Sequence, residues 1–247
     1  MDKISIIIPT LGREEKLKKC IDSLEKQTLN CFEIIVVSKK KIKQTGIKTI
    51  IQKGKGASNA RNIGIAAAKG DLLLFLDDDV ILEEEYLEQL MKFWSKYKTG
   101  KIGGVTGKIT NSMQSALKDS FVGKLMKSYA KIFEISGFFT STDKIGKIYK
   151  NGFTASNFDK TNKVQETDFL SGCNMLVSKK ILEKHKITFD ETLIGNCYFE
   201  DVDFSFSIKE KGYPVFAIPF AKLQHIESSI TRANLAKLKY YYLINQK

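Results

Sequence analysis

The 247-residue sequence has few cysteines and no long apolar run. Its four cysteines are far apart and form neither a Cys-x-x-Cys pair nor a Cys/His cluster, which argues against a disulfide framework and favours a reducing compartment. No stretch of about 18 apolar residues is present, so we expect no membrane-spanning helix. Met1-Asp2-Lys3 leads directly into a strand pattern, and we therefore expect no signal peptide.

The sequence is also short of acidic residues relative to basic ones. It has 40 Lys and Arg against 28 Asp and Glu, a formal net charge of +12. Excess positive charge attracts polyanions such as nucleic acids, anionic lipid head groups and phosphorylated substrates. A lysine-rich surface without a specific partner explains the same charge, because net charge bears on association and not on fold. With 43% hydrophobic residues, the chain is apolar enough to fold around a core.

What the sequence does contain is an alternation of strand and helix patterns through residue 109. Apolar or β-branched runs predict strands, and amphipathic segments predict helices. The predicted strands are 4–8, 32–37, 47–51, 72–76 and 102–109, and the predicted helices end near residue 27 or span 59–69 and 83–98. This alternation predicts an α/β fold with a mainly parallel sheet and crossover helices.

The pattern is less regular from residue 111 onward. Apolar and aromatic residues within 117–133 fall on one helical face, which is typical either of a helix on a membrane surface or of one packed on its own domain. A Gly-, Ser-, Asn- and Thr-rich run to residue 162 predicts loops or irregular hairpins. Further strands are predicted at 169–177, 213–218 and 221–225, and helices at 179–184, 198–208 and 232–246. No linker or repeat marks a second domain.

An acidic triplet, Asp77-Asp78-Asp79, directly follows the apolar strand Leu72–Leu76. Side chains alternate along a strand, so Asp77 and Asp79 are predicted to share one side. Carboxylates this close repel one another unless a positive charge compensates, and hard oxygen ligands suit Mg²⁺ or Mn²⁺. Taken alone, the triplet is better explained as an acidic surface turn that precedes the next helix, since isolated motif matches are often accidental.

Together with other motifs in a fixed order, the triplet resembles the family-two glycosyltransferases of the GT-A fold. The motifs that carry the resemblance are Ile7–Thr10 with Arg13, Gly56 with Ala60–Gly64, Gly70–Asp79, Gly172–Met175 and Glu200–Asp203. The resemblance implies a Rossmann-like, mixed and mainly parallel sheet flanked by helices. It also implies one domain over 1–247, with a nucleotide-sugar half at 1–110, an acceptor half at 111–230 and a basic C-terminal helix at 231–247.

The resemblance further implies which residues hold a nucleotide-sugar donor, with UDP as the default nucleotide. The implied donor contacts are Pro9, Thr10, Arg13, Ser38, Gly56, Arg61, Asn62, Asp77 and Asp78. Asp78 is explained equally well as a solvated carboxylate. Asp79 and Asp77 are the implied ligands of Mg²⁺ or Mn²⁺, and His225 is a candidate third ligand because neutral imidazole binds such ions. The sequence departs from the family after its second strand. There Ser38 stands in place of the usual acidic turn and offers the nucleobase of the donor a weaker contact than a carboxylate would.

For the transfer step, the resemblance assigns the general base to Asp201, with Glu200 as its neighbour. A carboxylate there would remove the proton from the acceptor hydroxyl, and a single displacement inverts the sugar's configuration. Asp201 also has a structural explanation, since the macrodipole favours a carboxylate at the start of a helix. The implied acceptor-side residues are Asp168, Gly172, Cys173 and Asn174.

Two other function classes compete with this prediction. A sugar-phosphate nucleotidyltransferase requires a Gly-rich signature with Arg or Lys after the first strand, and Leu11-Gly12-Arg13 is too short for it. A non-catalytic binder of RNA or anionic membrane accounts for the charge but needs neither Asp79 nor Asp201, and no RNA-binding signature is visible. We therefore predict a glycosyltransferase in the cytoplasm or on the inner face of the cell membrane. Its expected partners are a nucleotide-sugar donor, a glycan or lipid-linked acceptor and an anionic membrane surface, but no nucleic acid.

Overall fold

The structure is a computed structural model that describes residues 2–97, 102–110, 144–149, 154–193 and 199–226. Within them, strands and helices alternate through residue 109 as the sequence predicts. The elements are β1 (Ile4–Thr10), α1 (Glu14–Glu25), β2 (Phe32–Ser38), β3 (Ile47–Ile51), α2 (Gly56–Ala67), β4 (Leu72–Leu76), β5 (Val80–Leu82), α3 (Tyr86–Lys96), β6 (Gly104–Ile109), β7 (Lys147–Ile148), β8 (Thr154–Ala155), a short 3₁₀ helix (Phe158–Lys160), β9 (Gln165–Thr167), β10 (Asn174–Ser178), α4 (Lys179–His185), α5 (Glu200–Glu210) and β11 (Val215–His225). The predicted helices at 117–133 and 232–246 lie outside the described residues.

The described strands form one mixed sheet and a separate β7–β8 hairpin. The sheet has nine strands in the order β3-β2-β1-β4-β10-β6-β11-β5, with β9 also paired to β11. The first four strands run parallel, whereas β10 runs antiparallel between β4 and β6. The ends of the parallel strands, at Thr10, Ser38 and Leu76, therefore lie along one edge of the sheet. Because β10 runs the other way, it begins at that same edge, with Asn174 opposite Leu76.

The strand β4 lies at the centre of two hydrophobic cores, and all five of its residues are buried. Leu74 belongs to the core beneath α1 and α3, whereas Phe75 belongs to the core beneath α2, α4 and α5. In the second core the rings of Phe189 and Phe204 stack at 3.9 Å, and both meet Phe75 edge-on. Burying each such side chain stabilises the fold by about 1.5–3 kcal/mol. Close packing on both faces of β4 therefore holds the carboxyl end of this strand in place.

Two helices begin three residues away from their predicted starts. The helix predicted from residue 83 begins at Tyr86, because Val80–Leu82 pairs with β11 as the short strand β5. The helix predicted from residue 59 begins at Gly56, whose φ of +83° suits glycine and starts the helix directly after the β3 loop.

Two strands also differ from the prediction. The strand predicted from residue 169 begins at Asn174, and residues 169–173 instead form the turn that carries Gly172. The two strands predicted on either side of Pro219 form one strand, β11. Its pairing with β6 shifts register between Ala217 and Lys222, and this irregularity accommodates a residue that has no N–H to donate.

Candidate active site

Five carboxylates meet at the sheet edge described above, and we call Asp77, Asp78, Asp79, Glu200 and Asp201 the acidic cluster. The first three follow β4, and the other two begin α5. The two segments are far apart in sequence, but the turn before β10 brings them together. The peptide N–H of Asp77 donates to the carbonyl of Cys173 at 3.4 Å, and the N–H of Gly172 donates to Asp201 Oδ2 at 2.9 Å.

Asp77, Asp79 and His225 form one set of metal-binding side chains. One ligand atom from each lies within 4.8 Å of the others. His225 Nε2 is 3.1 Å from Asp79 Oδ1 and 3.8 Å from Asp77 Oδ2. The histidine arrives here because β11 pairs with β5, which sets His225 opposite Val80, the residue after Asp79. Two carboxylates and an imidazole are a donor set that fits Mn²⁺ or Mg²⁺.

Asp78 points away from this set and is fully buried. Its Oδ2 accepts a hydrogen bond of 2.5 Å from the Thr10 hydroxyl and one of 3.1 Å from Arg13 Nε. Its other oxygen, Oδ1, forms an ion pair with Arg13 Nη2. Asp78 is therefore not the solvated carboxylate that was one of its two explanations. It anchors the loop after β1 to the acidic cluster.

Arg61 lies between the two halves of the cluster and is fully buried. Its Nη2 is 3.2 Å from Asp77 Oδ1 and donates to the Gly172 carbonyl at 3.1 Å, while Nη1 pairs with Glu200. The guanidinium also lies 5.4 Å from the centre of the Phe189 ring. A buried cation is tolerated only when opposite charges compensate for lost hydration, and here carboxylates from both segments supply that compensation.

The carboxylate of Asp201 is held by backbone groups on both sides. Its Oδ2 accepts from Gly172 and its Oδ1 accepts from the Val202 N–H at 2.9 Å. The approach to Gly172 is close, since a β-carbon there would lie 3.0 Å from Asp201 Oδ2. Two donors fix the plane of this carboxylate, and a β-carbon at position 172 would fit only if the carboxylate shifted by a few tenths of an ångström.

The charges at the site shift the proton affinities of the carboxylates. Burial raises the pKa of Asp201 and of Asp77 above the usual range, although the positive charge of Arg61 opposes the shift. Burial likewise raises the pKa of Glu200 to about 7, and the neighbouring Asp201 charge adds to this effect. At Asp79 burial is outweighed by the His225 hydrogen bond and by nearby positive charge, so its pKa is lowered.

Lys16 is a member of the site that the motifs did not indicate. Its Nζ is 3.5 Å from Asp79 Oδ2 and donates to the Ile226 carbonyl at 2.9 Å. Arg13 Nη1 reaches the same Asp79 oxygen at 3.0 Å. The available sequence signal was the spacing of three residues between Arg13 and Lys16, which places both on one face at the start of α1.

The remaining predicted donor contacts are spread along the sheet edge. Pro9 ends β1, and Gly56 opens α2. Ser38 is buried, and its hydroxyl accepts from the Lys40 N–H at 3.2 Å. Asn62 lies away from the acidic cluster, because its amide binds both backbone groups of Phe189, each at 2.9 Å. Their roles toward a donor stay predictions.

Of the predicted acceptor-side residues, the structure brings Gly172 into contact with Asp201. Asp168 instead pairs with Lys147 at 2.7 Å and with Lys209 at 3.2 Å, which ties the β7–β8 hairpin to α5. Asn174 Oδ1 is buried and accepts from Thr106 and from the Gly107 N–H, each at 2.6 Å. Cys173 is buried too, and burial raises the pKa of its thiol to about 12.

Comparison with known proteins places these features in a family. The family model for glycosyl transferase family 2 matches residues 5–186. Glycosyltransferase GlyA of Streptococcus pneumoniae is 28% identical over 207 residues, which cover 75% of this chain and 30% of that protein. The poly(ribitol-phosphate) β-N-acetylglucosaminyltransferase TarP of Staphylococcus aureus is 30% identical over 122 residues, covering 43% and 37%. The chain thus spans about a third of these relatives' length.

Solved structures share the fold at low sequence identity. Residues 1–349 of S. aureus TarS, crystallised with UDP-GlcNAc, superpose with a TM-score of 0.62 at 18% identity, covering 98% of this chain and 64% of that one. The mannosyltransferase PcManGT of Pyrobaculum calidifontis, in complex with GDP-Man and Mn²⁺, gives a TM-score of 0.61 at 14% identity, covering 94% and 58%. Within the described residues, none of the helices is long and apolar enough to cross a bilayer. The chain has the GT-A fold and belongs to glycosyl transferase family 2.

Proposed function

We propose that the chain is an inverting, metal-dependent glycosyltransferase that moves a sugar from a UDP-sugar to an acceptor hydroxyl. The single observation that carries the proposal is the position of Arg61. One guanidinium contacts Asp77, which belongs to the metal-binding set, and Glu200, which adjoins the proposed base Asp201. Transfer requires a group that stabilises the departing diphosphate and a base for the incoming hydroxyl within one cleft, and this contact supports such an arrangement.

Asp201 is the proposed general base. Its two backbone hydrogen bonds orient the carboxylate, and its raised pKa makes it a better proton acceptor than an ordinary aspartate. Glu200 binds Arg61 and is proposed to hold that side chain in place rather than to take the proton. Proton removal and attack in a single displacement invert the configuration at the anomeric carbon.

Asp77, Asp79 and His225 are the proposed ligands of Mn²⁺ or Mg²⁺. The ion, when bound, would act as a Lewis acid that stabilises negative charge on the leaving diphosphate. Arg13 and Lys16 add positive charge on the same side, and Asp78 fixes Arg13 in place. These side chains attract an anionic donor toward a cluster that would otherwise repel it.

The donor and acceptor are proposed from the relatives. TarS was crystallised with UDP-GlcNAc, and the name of TarP specifies transfer of N-acetylglucosamine to poly(ribitol phosphate). UDP-GlcNAc is therefore the first donor to test. A glycan, a lipid-linked saccharide or a polyol-phosphate chain is the proposed acceptor class, and the proposed location is the cytoplasm or the inner face of the cell membrane.

The test is release of nucleoside diphosphate from UDP-, GDP- and dTDP-sugars with Mn²⁺, accompanied by thermal shift with each donor. With water as the acceptor of the sugar, we expect UDP release that stops when EDTA removes the metal and resumes when Mn²⁺ is restored. Pyrophosphate release from a nucleoside triphosphate would instead indicate a sugar-phosphate nucleotidyltransferase. Absence of both reactions with every donor, in a protein that binds Mn²⁺, would contradict the proposal.

A further inference from the structure

One long segment of the chain carries basic residues only. Between Glu33 and Asp71 there are nine Lys and Arg residues and no acidic residue. All eight lysines are exposed, and six of them lie on the connection that follows β2 or on the loop that follows β3. We call these the lysine patch, which consists of Lys39, Lys40, Lys41, Lys43, Lys53 and Lys55.

The two stretches that carry the patch are joined to each other. Ser38 and Ile51 are partners in the β2–β3 pairing, and the Gln52 N–H donates to the Ser38 carbonyl at 2.8 Å. The Lys39 ammonium then donates to the carbonyl of Gly54, between two other lysines of the patch. Backbone pairing thus holds several like charges side by side, although they repel one another.

The lysine patch differs from three exposed lysines on α1 and α3. On α1 and α3, Lys18 pairs with Asp22 at 2.7 Å, Lys19 with Glu15 at 2.9 Å and Lys92 with Glu88 at 2.8 Å. Within residues 2–97 and the other described ranges, no lysine of the patch makes an ion pair. Protection of an edge strand does not explain the patch, since these lysines lie in connecting loops and Lys48 is the lysine on β3 itself.

From this unpaired charge we infer that the lysine patch docks the protein on an anionic lipid bilayer. Lysines near a membrane are drawn to the negative surface potential of its lipids. Ile51, which is 48% exposed between the two lysine loops, supplies an aliphatic side chain that a bilayer interface accepts and a soluble polyanion does not need. Residues 39–46 and 52–55 contain no arginine or aromatic residue, the side chains that stack on bases or bind phosphates in pairs.

The patch lies at the same sheet edge as the acidic cluster. Thr10, which binds Asp78, is the direct strand partner of Ser38, and the patch begins at the next residue. Docking by this surface brings the candidate active site to the lipid head groups, where a lipid-linked acceptor presents its sugar. This consequence for transfer rests on the proposed function, whereas the docking itself does not.

The test is cosedimentation of the full chain with vesicles of phosphatidylcholine and phosphatidylglycerol in a 7:3 ratio, or of phosphatidylcholine alone. The patch variant carries Lys→Gln at residues 40, 41, 43, 53 and 55, and it keeps Lys39 because that side chain binds Gly54. The matched control carries Lys→Gln at residues 18, 19, 26, 92 and 96. It also removes five positive charges, from α1, from the residue that follows it and from α3. A third variant, Ile51→Ser, leaves the charge unchanged.

We expect the wild type to bind the anionic vesicles and not the neutral ones, with binding lost as NaCl rises from about 0.1 to 0.5 M. The patch variant should bind at least about tenfold more weakly, the control within about twofold of wild type, and Ile51→Ser at an intermediate level. Equal binding by the patch variant and the control would overturn the inference. So would binding to long-chain polyphosphate or RNA without binding to vesicles, which would indicate a soluble polyanion.

Vesicle binding is measured without donor or acceptor, so its result is independent of the proposed transfer. A chain that binds vesicles but releases no nucleoside diphosphate would contradict only the proposed function. Circular dichroism and thermal melting of all variants exclude unfolding as the cause of lost binding.

Discussion

The acidic cluster and the lysine patch lie at one edge of one sheet, yet their charges are balanced in opposite ways. Within the cluster, carboxylates are paired with cations of this same chain, chiefly Arg13 and Arg61. Among the described residues, no carboxylate forms an ion pair with a lysine of the patch. A buried charged group has lost its hydration and must be compensated by an opposite charge inside the protein. An exposed charged group stays hydrated and is available to bind an external partner.

The difference in burial also determines how strongly each group of charges acts on the fold. Opposite charges about 4 Å apart interact by about 1 kcal/mol in water and by about 4 kcal/mol in the effective dielectric of a protein surface. The cluster therefore couples tightly to folding and to chemistry, and the patch couples to association. Three substitutions test this contrast, from the largest expected effect to the smallest.

Asp201→Asn should lower kcat by about 10²–10⁴ if Asp201 removes the acceptor proton, because asparagine preserves the shape but accepts no proton. Steady-state kinetics with the donor found in the screen, together with a melting curve, measure the effect. Asp203→Asn, on the exposed side of the same helix, is the control and should stay near wild type. A kcat for Asp201→Asn within about threefold of wild type would assign the base elsewhere.

Arg61→Met should lower the free energy of unfolding by about 3–5 kcal/mol, because it leaves Asp77 and Glu200 without the buried cation that compensates both. Lys40→Met, in the patch, should change it by less than about 0.5 kcal/mol. Urea denaturation at pH 7.5 measures both values. Equal losses in the two variants would show that the contrast between cluster and patch does not hold.

Glu200→Gln should reduce the pH dependence of stability. Burial raises the pKa of Glu200 in the folded protein to about 7, so between about pH 4.5 and 7 the folded state binds a proton that the unfolded state has released. Stability from this group is present below that window and is lost as pH rises through it.

The expected size of this effect is about 1–3 kcal/mol across the window. Urea denaturation of wild type and Glu200→Gln at pH 4.5, 5.5, 6.5 and 7.5 measures it, with the exposed Glu84→Gln as control. A Glu200→Gln protein whose stability declines with pH as steeply as that of wild type would rule out this assignment.

The fold was largely predictable because its signals are local. The apolar run Leu72–Leu76 has the length and bulk of a strand buried on both faces, and the structure confirms it. The alternation of strand and helix confirmed the α/β class. Boundaries were wrong where pairing with distant strands decided them, as at Val80–Leu82, which becomes a strand only because β11 lies beside it.

The sequence motifs indicated the five carboxylates of the acidic cluster but not the contacts that these residues make. The motifs indicated Arg61 as a donor contact, but they gave no sign that its side chain is buried between Asp77 and Glu200. Lys16 was missed for the same reason, because which helix face meets which loop depends on packing across the sheet. Local sequence patterns report which residues share a face, and long-range topology determines what that face touches.

Gly172 makes two contacts with its backbone alone, donating its N–H to Asp201 and presenting its C=O to Arg61. The backbone of a single residue therefore sets the separation between the proposed base, Asp201, and Arg61, which contacts Asp77 of the metal-binding set. Backbone bond lengths and angles hardly vary between proteins, so the spacing between the N–H and the C=O of Gly172 does not depend on the rotamers of neighbouring side chains.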